Sequence, residues 1–261
     1  MKAAVFRGIG QIEVVDVPKP ELDASEVLIR VGYCGICGSD LEAFHTGMYE
    51  PGLVIGHEFA GTIVELGIGV ADWRVGERVV VNDAIPCGEC SCCREGRLDA
   101  CQSLTMIGVS HDGAMAEYAK ITAKGLHRLP DHVTLRQGAL VEPLAVALHG
   151  VRRSRLKAGD HAVVMGAGPL GRLTLQCARL ASARTVVVTE VDSTRAALAR
   201  RLGATTVLDP TRDNVSVALA NLTGGIGPNV IYVCTGAPAP FRDAVSLVRK
   251  GGQIFVLGVC V

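Results

Sequence analysis

A glycine-rich turn between a predicted strand and a predicted helix constrains the fold of this chain more than any other feature. The segment GAGPLG (166–171) follows an apolar run and opens an amphipathic pattern that continues to Leu180. Glycines so placed allow a tight turn, a close approach of the backbone to a pyrophosphate, and close packing of a helix on a strand. We therefore predict that the phosphate-binding turn of a dinucleotide site is formed by Gly166, Gly168, Pro169, Leu170 and Gly171.

The residues after this turn continue the pattern. Apolar runs alternate with helical segments as far as QIFVLGV (253–259), which indicates βαβ units around a parallel sheet. The second predicted strand ends at Glu190, 19 residues beyond Gly171, where a carboxylate can accept both hydroxyls of a cofactor ribose. A 2′-phosphate would meet like charge there, so the sequence favours NAD over NADP. NADP stays an alternative because of Arg195 and the pair Arg200-Arg201, although the pair is predicted to lie on a solvated helix face.

The first part of the chain has a different texture. Up to about residue 145, short alternating or β-branched runs such as IEVVDV and EVLIRVGYC are separated by Gly, Pro and Asp turns. This pattern is typical of an irregular all-β unit. At 261 residues the chain has room for two domains of roughly 100–200 residues each. We predict an α/β protein with a β-rich domain at 1–146 and a doubly wound parallel-sheet domain at 147–261.

The charge balance narrows the classes of partner. Lys and Arg number 26, as do Asp and Glu, so the formal charge is zero and no electrostatic argument favours nucleic acid or an anionic membrane. We find no signal peptide at the N-terminus, and no window approaches the ~18 apolar residues that a membrane span requires. A cytoplasmic protein is expected, in which ten cysteines point to metal binding or catalysis before disulfides.

A run of cysteines between residues 87 and 101 predicts a structural metal site. CGECSCCREGRLDAC contains C-x2-C-x2-C-x7-C, a spacing that can wrap four thiolates around one tetrahedral Zn²⁺. Cys92 lies one position early and would point away from a metal held by the next cysteine. Disulfides or a redox-active thiol cluster are the alternatives. A closed four-thiolate site has no open position, so this zinc would stabilise a loop, with the ligands Cys87, Cys90, Cys93 and Cys101.

Four dispersed residues are candidates for a second metal site. Cys37 lies between glycines in CGICGSD, His57 and Glu58 follow Gly56, and Glu142 precedes the change of texture. Cysteine, histidine and carboxylate ligands plus water keep an open position on Zn²⁺, as Lewis-acid catalysis requires. Each residue also has an ordinary explanation: a buried cysteine, a surface His-Glu pair or a solvated glutamate. The other histidines lack convergent partners and are interpreted as surface or structural residues: His111, His127, His132, His149 and His161.

Together these motifs resemble the zinc-dependent medium-chain dehydrogenase/reductase family, specifically its polyol, butanediol and threonine dehydrogenase branch. The resemblance covers essentially the whole chain, through CGICGSD, GHEFAG, the cysteine loop, EPLAVALHG and GAGPLG in that order. It implies a GroES-like catalytic domain at 1–146, with a structural zinc lobe at 87–101, and a Rossmann NAD-binding domain at 147–261. It also implies a catalytic zinc at Cys37, His57, Glu58 and Glu142, and leaves open which glutamate binds directly.

The resemblance assigns roles to the residues that follow Cys37. Asp40 matches an acid that orients the ligand histidine, and Ser39 matches a hydroxyl that hydrogen-bonds the substrate oxygen. In the implied reaction zinc lowers the pKa of the substrate hydroxyl, Ser39 passes its proton on, and hydride goes to the nicotinamide C4. The family often continues this relay to a histidine three residues after the hydroxyl. Glu42 stands there instead, so the proton would pass to Glu42 or to His45.

The implied function is hydride transfer between NAD and a secondary alcohol, diol or polyol, with two zinc ions per chain. Full-length relatives are expected to form homodimers or homotetramers. They are also expected to continue past a fifth strand of the cofactor domain, so this chain is expected to be C-terminally truncated or a natural short form. Two alternatives stay open. One is a zinc-independent quinone reductase of the same superfamily, against which the Cys/His/Glu set argues. The other is a non-catalytic fragment that binds zinc and nucleotide.

Overall fold

Two compact units make up the structure. The computed structural model describes residues 1–258, which separate into the unit Met1–Glu142 and a second unit that begins at Pro143. Each unit encloses buried apolar clusters of its own. The boundary expected at 146/147 falls inside helix α4, Val141–Arg153. The chain therefore passes from one unit to the next near the start of a helix.

The first unit is built mainly from antiparallel strands. Its strands are β1 (Lys2–Gly8), β2 (Gln11–Asp16), β3 (Glu26–Cys34), β4 (Phe59–Leu66), β5 (Arg78–Val81), β6 (Ala84–Ile85), β7 (Thr105–Met106), β8 (Tyr118–Thr122) and β9 (Leu126–Arg128). Five of them form one sheet in the order β8-β3-β4-β5-β9, whereas β1 with β2 and β6 with β7 form two-stranded pairs. Short helices connect them: α1 (Gly38–Thr46), α2 (Ser91–Arg94) and α3 (Leu135–Gly138), with 3₁₀ turns at Leu98–Ala100 and Ala123–Gly125.

β-Branched residues hold this sheet together. Val27 and Ile29 on β3 share one buried cluster with Ile63 on β4 and Val79 on β5, and all four side chains are completely buried. Such residues pack well on a pleated, half-buried surface. The antiparallel pairing of β3 with β4 therefore fixes where their ends meet, which matters for the site described below.

The second unit contains a parallel sheet with helices on both faces. Its strands are β10 (His161–Met165), β11 (Thr185–Thr189), β12 (Thr206–Leu208), β13 (Val230–Val233) and β14 (Gln253–Val256), in the spatial order β12-β11-β10-β13-β14. After α4, its helices are α5 (Pro169–Leu180), α6 (Ser193–Arg201), α7 (Val215–Leu222) and α8 (Pro238–Leu247). This architecture confirms the predicted α/β class.

The central strands of this sheet are buried on both faces. Val164 and Tyr232 belong to one apolar cluster, whereas their neighbours Val163 and Ile231 belong to the cluster on the opposite face. A parallel sheet that is covered on both faces requires continuously apolar strands, whose alternate side chains point to opposite faces. The strand order reverses between β10 and β13, and ligands of such sheets bind outside the carboxyl ends of the strands at that point.

Two predicted strands are longer than the observed ones. β11 ends at Thr189, so Glu190 lies just beyond the strand and not at its last position. The strand predicted at 253–259 is observed only over Gln253–Val256, and Val259 lies outside the described residues. Within residues 1–258, no helix has the length and apolar character needed to cross a membrane.

Candidate functional site

The ligand atoms of Cys37, His57 and Glu58 all lie within 4.8 Å of one another. The sheet brings them together, because the β3–β4 register pairs Cys34 with Phe59 and so places the residues just beyond β3 beside those just before β4. The amide of Gly35 donates a hydrogen bond to the Glu58 carbonyl at 2.7 Å. Cys37 and the His57-Glu58 pair, which are distant in the sequence, therefore converge through strand pairing.

A buried histidine and a buried aspartate form the back of this cluster. His57 is 4% exposed and Asp40 is 3% exposed, and Nδ1 of His57 lies 3.9 Å from Oδ1 of Asp40. Neither of these two atoms has a hydrogen-bond partner within the described residues. The other Asp40 oxygen accepts a hydrogen bond from the Cys37 amide at 2.9 Å, which fixes the start of α1. Because Nδ1 faces Asp40, Nε2 of the ring is free for the cluster.

The electrostatics of the cluster suit the binding of a cation. Burial raises the pKa of the Cys37 thiol to about 11, although hydrogen bonding to Ser39 opposes the shift. Burial likewise raises the pKa values of the Glu58 and Asp40 carboxyls above their ordinary range. Within residues 1–258, no Lys or Arg forms an ion pair with either carboxylate. A thiolate, an imidazole and a carboxylate are a donor set suited to Zn²⁺.

Glu142 is not one of the three converging residues, but it is electrostatically linked to two of them, His57 and Glu58. Burial raises its pKa to about 7; the neighbouring Asp83 and Glu58 add to the shift, and His57 opposes it. Asp83 is 8% exposed, and burial raises the pKa of its carboxyl as well. Asp83 is a residue of this site that the sequence motifs do not predict. The only local signal is a carboxylate two residues after the buried strand β5.

The three residues predicted to relay a proton all lie on α1. Ser39 is half-buried in the first turn, where its hydroxyl interacts with Cys37. Burial raises the pKa of Tyr49 to about 12, and the Ser39 hydroxyl opposes that shift. Glu42 is half-buried one turn later, and His45 is exposed, with its ring packed edge-on against Phe44 at 5.3 Å. Within residues 1–258, no hydrogen bond joins Ser39 to either of the other two side chains.

The four cysteines of the 87–101 loop converge independently, with their sulfur atoms all within 4.8 Å of one another. Backbone amides point at the sulfurs: the amide of Cys87 donates to Sγ of Cys101 at 3.2 Å, and that of Cys93 donates to Sγ of Cys90 at 3.4 Å. Backbone hydrogen bonds, first from Gln102, lower the pKa of Cys90 to about 6, whereas burial raises that of Cys93 to about 12. All nine cysteines within residues 1–258 are free thiols, and Cys92 is outside the cluster.

The glycine-rich turn follows β10 and opens α5. Gly166 has φ +94°, a conformation that favours glycine, and Gly168 caps the helix with Pro169 and Leu170 in its first turn. A side chain at Gly171 would overlap the carbonyl of Gly166, whereas a Cβ at Gly168 would meet no atom within 4 Å. The turn is therefore packed on one side and open on the other, which leaves room for a ligand at Gly168.

Glu190 lies buried beside this turn. Its carboxylate accepts hydrogen bonds from the amides of Ala167 at 2.7 Å and of Val191 and Asp192 at 2.9 Å each. Arg195 is exposed in the first turn of α6, where its amide donates to the capping Asp192. The structure thus places Glu190 beside the glycine-rich turn, where its carboxylate contacts the backbone of Ala167.

Comparison with known proteins identifies the class of this fold and site. Residues 23–131 match the alcohol dehydrogenase GroES-like domain, and residues 169–261 match the zinc-binding dehydrogenase domain. The chain belongs to the zinc-type medium-chain dehydrogenase family, and it is a zinc-dependent oxidoreductase of the alcohol and polyol type. The resemblance inferred from the motifs is therefore confirmed.

Three relatives illustrate the likeness. The chain is 32% identical to sorbitol dehydrogenase of Bacillus subtilis (strain 168), over 99% of this chain and 75% of that protein. It is 37% identical to 2-dehydro-3-deoxy-L-galactonate 5-dehydrogenase of Pseudoalteromonas atlantica, over 99% and 76%. A zinc-binding dehydrogenase of Sinorhizobium meliloti 1021, solved with NADP, is 37% identical with a TM-score of 0.93, over 99% of this chain and 77% of that one.

Proposed function

We propose that this protein oxidises a secondary alcohol, diol or polyol with NAD at a site built on Cys37, His57 and a carboxylate. The observation that carries the proposal is the convergence of Cys37, His57 and Glu58 within 4.8 Å, beside buried atoms that have no hydrogen-bond partner in the described part of the chain. Sorbitol dehydrogenase among the relatives supports a polyol substrate, whereas the galactonate enzyme extends the range to sugar acids.

Cys37, His57 and Glu58 would hold the catalytic zinc, which when bound acts as a Lewis acid toward the substrate oxygen. Asp40 orients the histidine, because its carboxylate faces Nδ1 and stabilises the ring with Nε2 directed away. Glu142 is the alternative carboxylate ligand; its link to His57 and Glu58 supports a place close to the metal.

The proton released by the substrate hydroxyl would be taken by Ser39. Its hydroxyl already interacts with Cys37, so it lies beside the metal ligands and can accept from one side while donating to the other. Glu42 lies one helical turn further along α1 and is the nearer candidate for the next acceptor, with the exposed His45 beyond it. Water can then carry the proton away from His45.

The second zinc would be held by Cys87, Cys90, Cys93 and Cys101. Backbone amides directed at three of these sulfurs support thiolate character, since such hydrogen bonds favour the charged form. Four thiolates leave no open position, so this ion would stabilise the loop and take no part in the reaction.

The cofactor would be bound by Gly166, Gly168 and Gly171, with α5 amides directed at the pyrophosphate. The Glu190 carboxylate supports NAD over NADP because it places negative charge where a 2′-phosphate would lie. Because the Sinorhizobium relative was solved with NADP, Arg195 is retained as a candidate contact to a 2′-phosphate. A comparison of steady-state kinetics with NAD⁺ and NADP⁺ decides between them.

Metal analysis tests the proposal most directly. We expect about two zinc ions per chain in the wild-type protein and about one in Cys37→Ser, which should lose oxidation activity but keep NADH binding. Cys101→Ser is the matched control, because it removes a thiol from the other cluster and should lower stability before activity. Wild-type protein with at most one zinc, or full turnover in Cys37→Ser, would contradict the assignment.

A substrate panel read by NADH absorbance tests the substrate class. Sorbitol, xylitol, 2,3-butanediol and threonine cover the polyol, diol and amino-alcohol possibilities. Turnover of enones or quinones without zinc would support the reductase alternative. Zinc and nucleotide binding without any turnover would support the non-catalytic alternative.

A further inference from the structure

Glu190 is held by the backbone on both of its carboxylate oxygens. Oε2 accepts the hydrogen bond from the Ala167 amide, and Oε1 accepts those from the Val191 and Asp192 amides. Glu190 is 8% exposed and Ala167 is completely buried. The carboxylate therefore ties the phosphate turn after β10 to the corner between β11 and α6 through protein groups.

The Ala167 amide has a strong requirement for this partner. Buried backbone N–H groups are almost always paired, and within residues 1–258 this amide donates to no other acceptor. If the carboxylate turned outward, a fully buried donor would be left without an acceptor. Hydrogen bonds to a charged acceptor are also stronger than neutral ones, and the start of α6 favours a nearby negative charge.

We propose that Glu190 is a positioning residue of the dinucleotide turn, which fastens Ala167 before any cofactor binds and is itself held too firmly to turn away from a 2′-phosphate. This inference rests on the proposed dinucleotide site and deepens it. Ribose binding requires only free lone pairs on the carboxylate. The three amide contacts add a second task, which is to shape the turn, and they make the charge immobile.

The chemistry of the contacts predicts which substitutions fail. All three partners are donors, so both oxygens must accept. A glutamine has one carbonyl oxygen, and its amide NH₂ group would face another donor on the second side. Glu190→Gln should therefore disturb the turn about as much as Glu190→Ala, although it is nearly isosteric.

The first experiment measures hydrogen exchange at the Ala167 amide in the zinc-loaded protein without cofactor. We expect exchange to rise about ten-fold or more in Glu190→Gln and Glu190→Ala. Asp192→Asn is the matched control: it removes one negative charge from the same corner, keeps the helix cap and leaves the Glu190 contacts intact, so Ala167 should stay protected. Unchanged protection in both Glu190 variants would overturn the positioning role.

The second experiment leaves Glu190 in place and adds a cation beside it. Val191 is 62% exposed, so Val191→Arg presents a guanidinium without removing the Val191 amide from the contact. We expect this variant to raise the ratio of NADPH to NADH affinity by no more than about five-fold, as for a surface ion pair. Combined with Glu190→Ala, the ratio should rise about 100-fold, because a like charge no longer opposes the phosphate. The disturbed turn weakens the binding of both cofactors and therefore cancels in the ratio. If Val191→Arg alone matches the double variant, the carboxylate moves aside and the inference is wrong.

The two experiments also separate this inference from the proposed function. Failure of the wild-type protein to bind either NADH or NADPH would overturn the dinucleotide site, and the inference with it. Normal NADH binding combined with an unprotected Ala167 amide would leave the proposed function standing and overturn the positioning role alone.

Discussion

Two buried carboxylate sites in this molecule differ in how well they are satisfied without a ligand. At the Cys37 cluster, His57 Nδ1 and Asp40 Oδ1 are buried and have no hydrogen-bond partner among the described residues, and burial raises the thiol pKa to about 11. At the phosphate turn, both oxygens of Glu190 accept hydrogen bonds, and the Ala167 amide is paired. In the described part of the chain, the first site therefore leaves buried polar atoms unpaired, whereas the second pairs its carboxylate on both oxygens.

The difference indicates what each ligand must do. A cation at the first site would stabilise the thiolate and carboxylate forms that burial disfavours, so metal binding and the charge state of the site are coupled. A dinucleotide at the second site meets a turn that is already shaped, so binding requires little rearrangement.

Removal of zinc should separate the two sites. Treatment with a chelator is expected to lower alcohol oxidation by about 10³-fold or more, since the Lewis acid supplies several kcal/mol of stabilisation. NADH affinity should change by only about two-fold, as for independent sites. Activity assays and fluorescence titration of NADH on the same chelated sample measure both. Parallel loss of activity and NADH binding would contradict the contrast.

Alanine at two glycines of the turn should give different results. Gly171→Ala would force a methyl group into the carbonyl of Gly166, so we expect a loss of about 2–3 kcal/mol in the free energy of unfolding and weak NADH binding. Gly168→Ala has φ −61° and meets no protein atom within 4 Å, so stability should change by less than about 0.5 kcal/mol. Thermal unfolding and NADH titration measure the pair, and equal destabilisation would show that the turn is not packed as described.

Local sequence predicts the phosphate turn well, because its glycines, the following helix and Glu190 are connected by short stretches of chain. The backbone contact between Glu190 and Ala167 could not be predicted, since it depends on the orientation of a side chain across two strands. The parallel sheet follows from alternating apolar runs, although β11 and β14 are shorter than the runs that predict them.

The convergence of the proposed metal ligands could be predicted only through the resemblance. Cys37 and the pair His57-Glu58 meet because β3 and β4 pair in a specific register, and no spacing rule within the sequence contains that register. The role of Asp83 could not be predicted for a related reason. Its burial and its effect on the pKa of Glu142 come from packing after β5 and not from any local motif.

Replacement of Glu142 should stabilise the metal-free protein at neutral pH. Its folded-state pKa of about 7 lies above the ordinary glutamate value of 4.5, so the folded state holds the proton more tightly than the unfolded chain. The stability of the metal-free protein therefore decreases as pH rises from about 4.5 to 7, and Glu142→Gln removes this penalty.

We expect Glu142→Gln to be more stable than the wild type by about 2 kcal/mol at pH 8, and equally stable near pH 4.5. Urea unfolding of chelated protein at both pH values measures the difference. Glu50→Gln, at an exposed position, serves as the control and should change little at either pH. A Glu142→Gln variant that is less stable at pH 8 would show that the carboxylate is satisfied without metal.

The outer groups of the proposed proton relay on α1, Glu42 and His45, are expected to give the smallest effects. Ser39→Ala removes the group beside the metal ligands and should lower kcat by about 10²-fold or more, as for a direct acid–base group. Glu42→Gln and His45→Ala act further out, where the exposed position of His45 gives water access, so we expect losses of about ten-fold or less. A proton step limited by Glu42 would raise the solvent isotope effect on kcat in Glu42→Gln and leave KM unchanged. The same increase in His45→Ala but not in Glu42→Gln would place the next acceptor at His45, and its absence in both would mean that solvent takes the proton directly from Ser39.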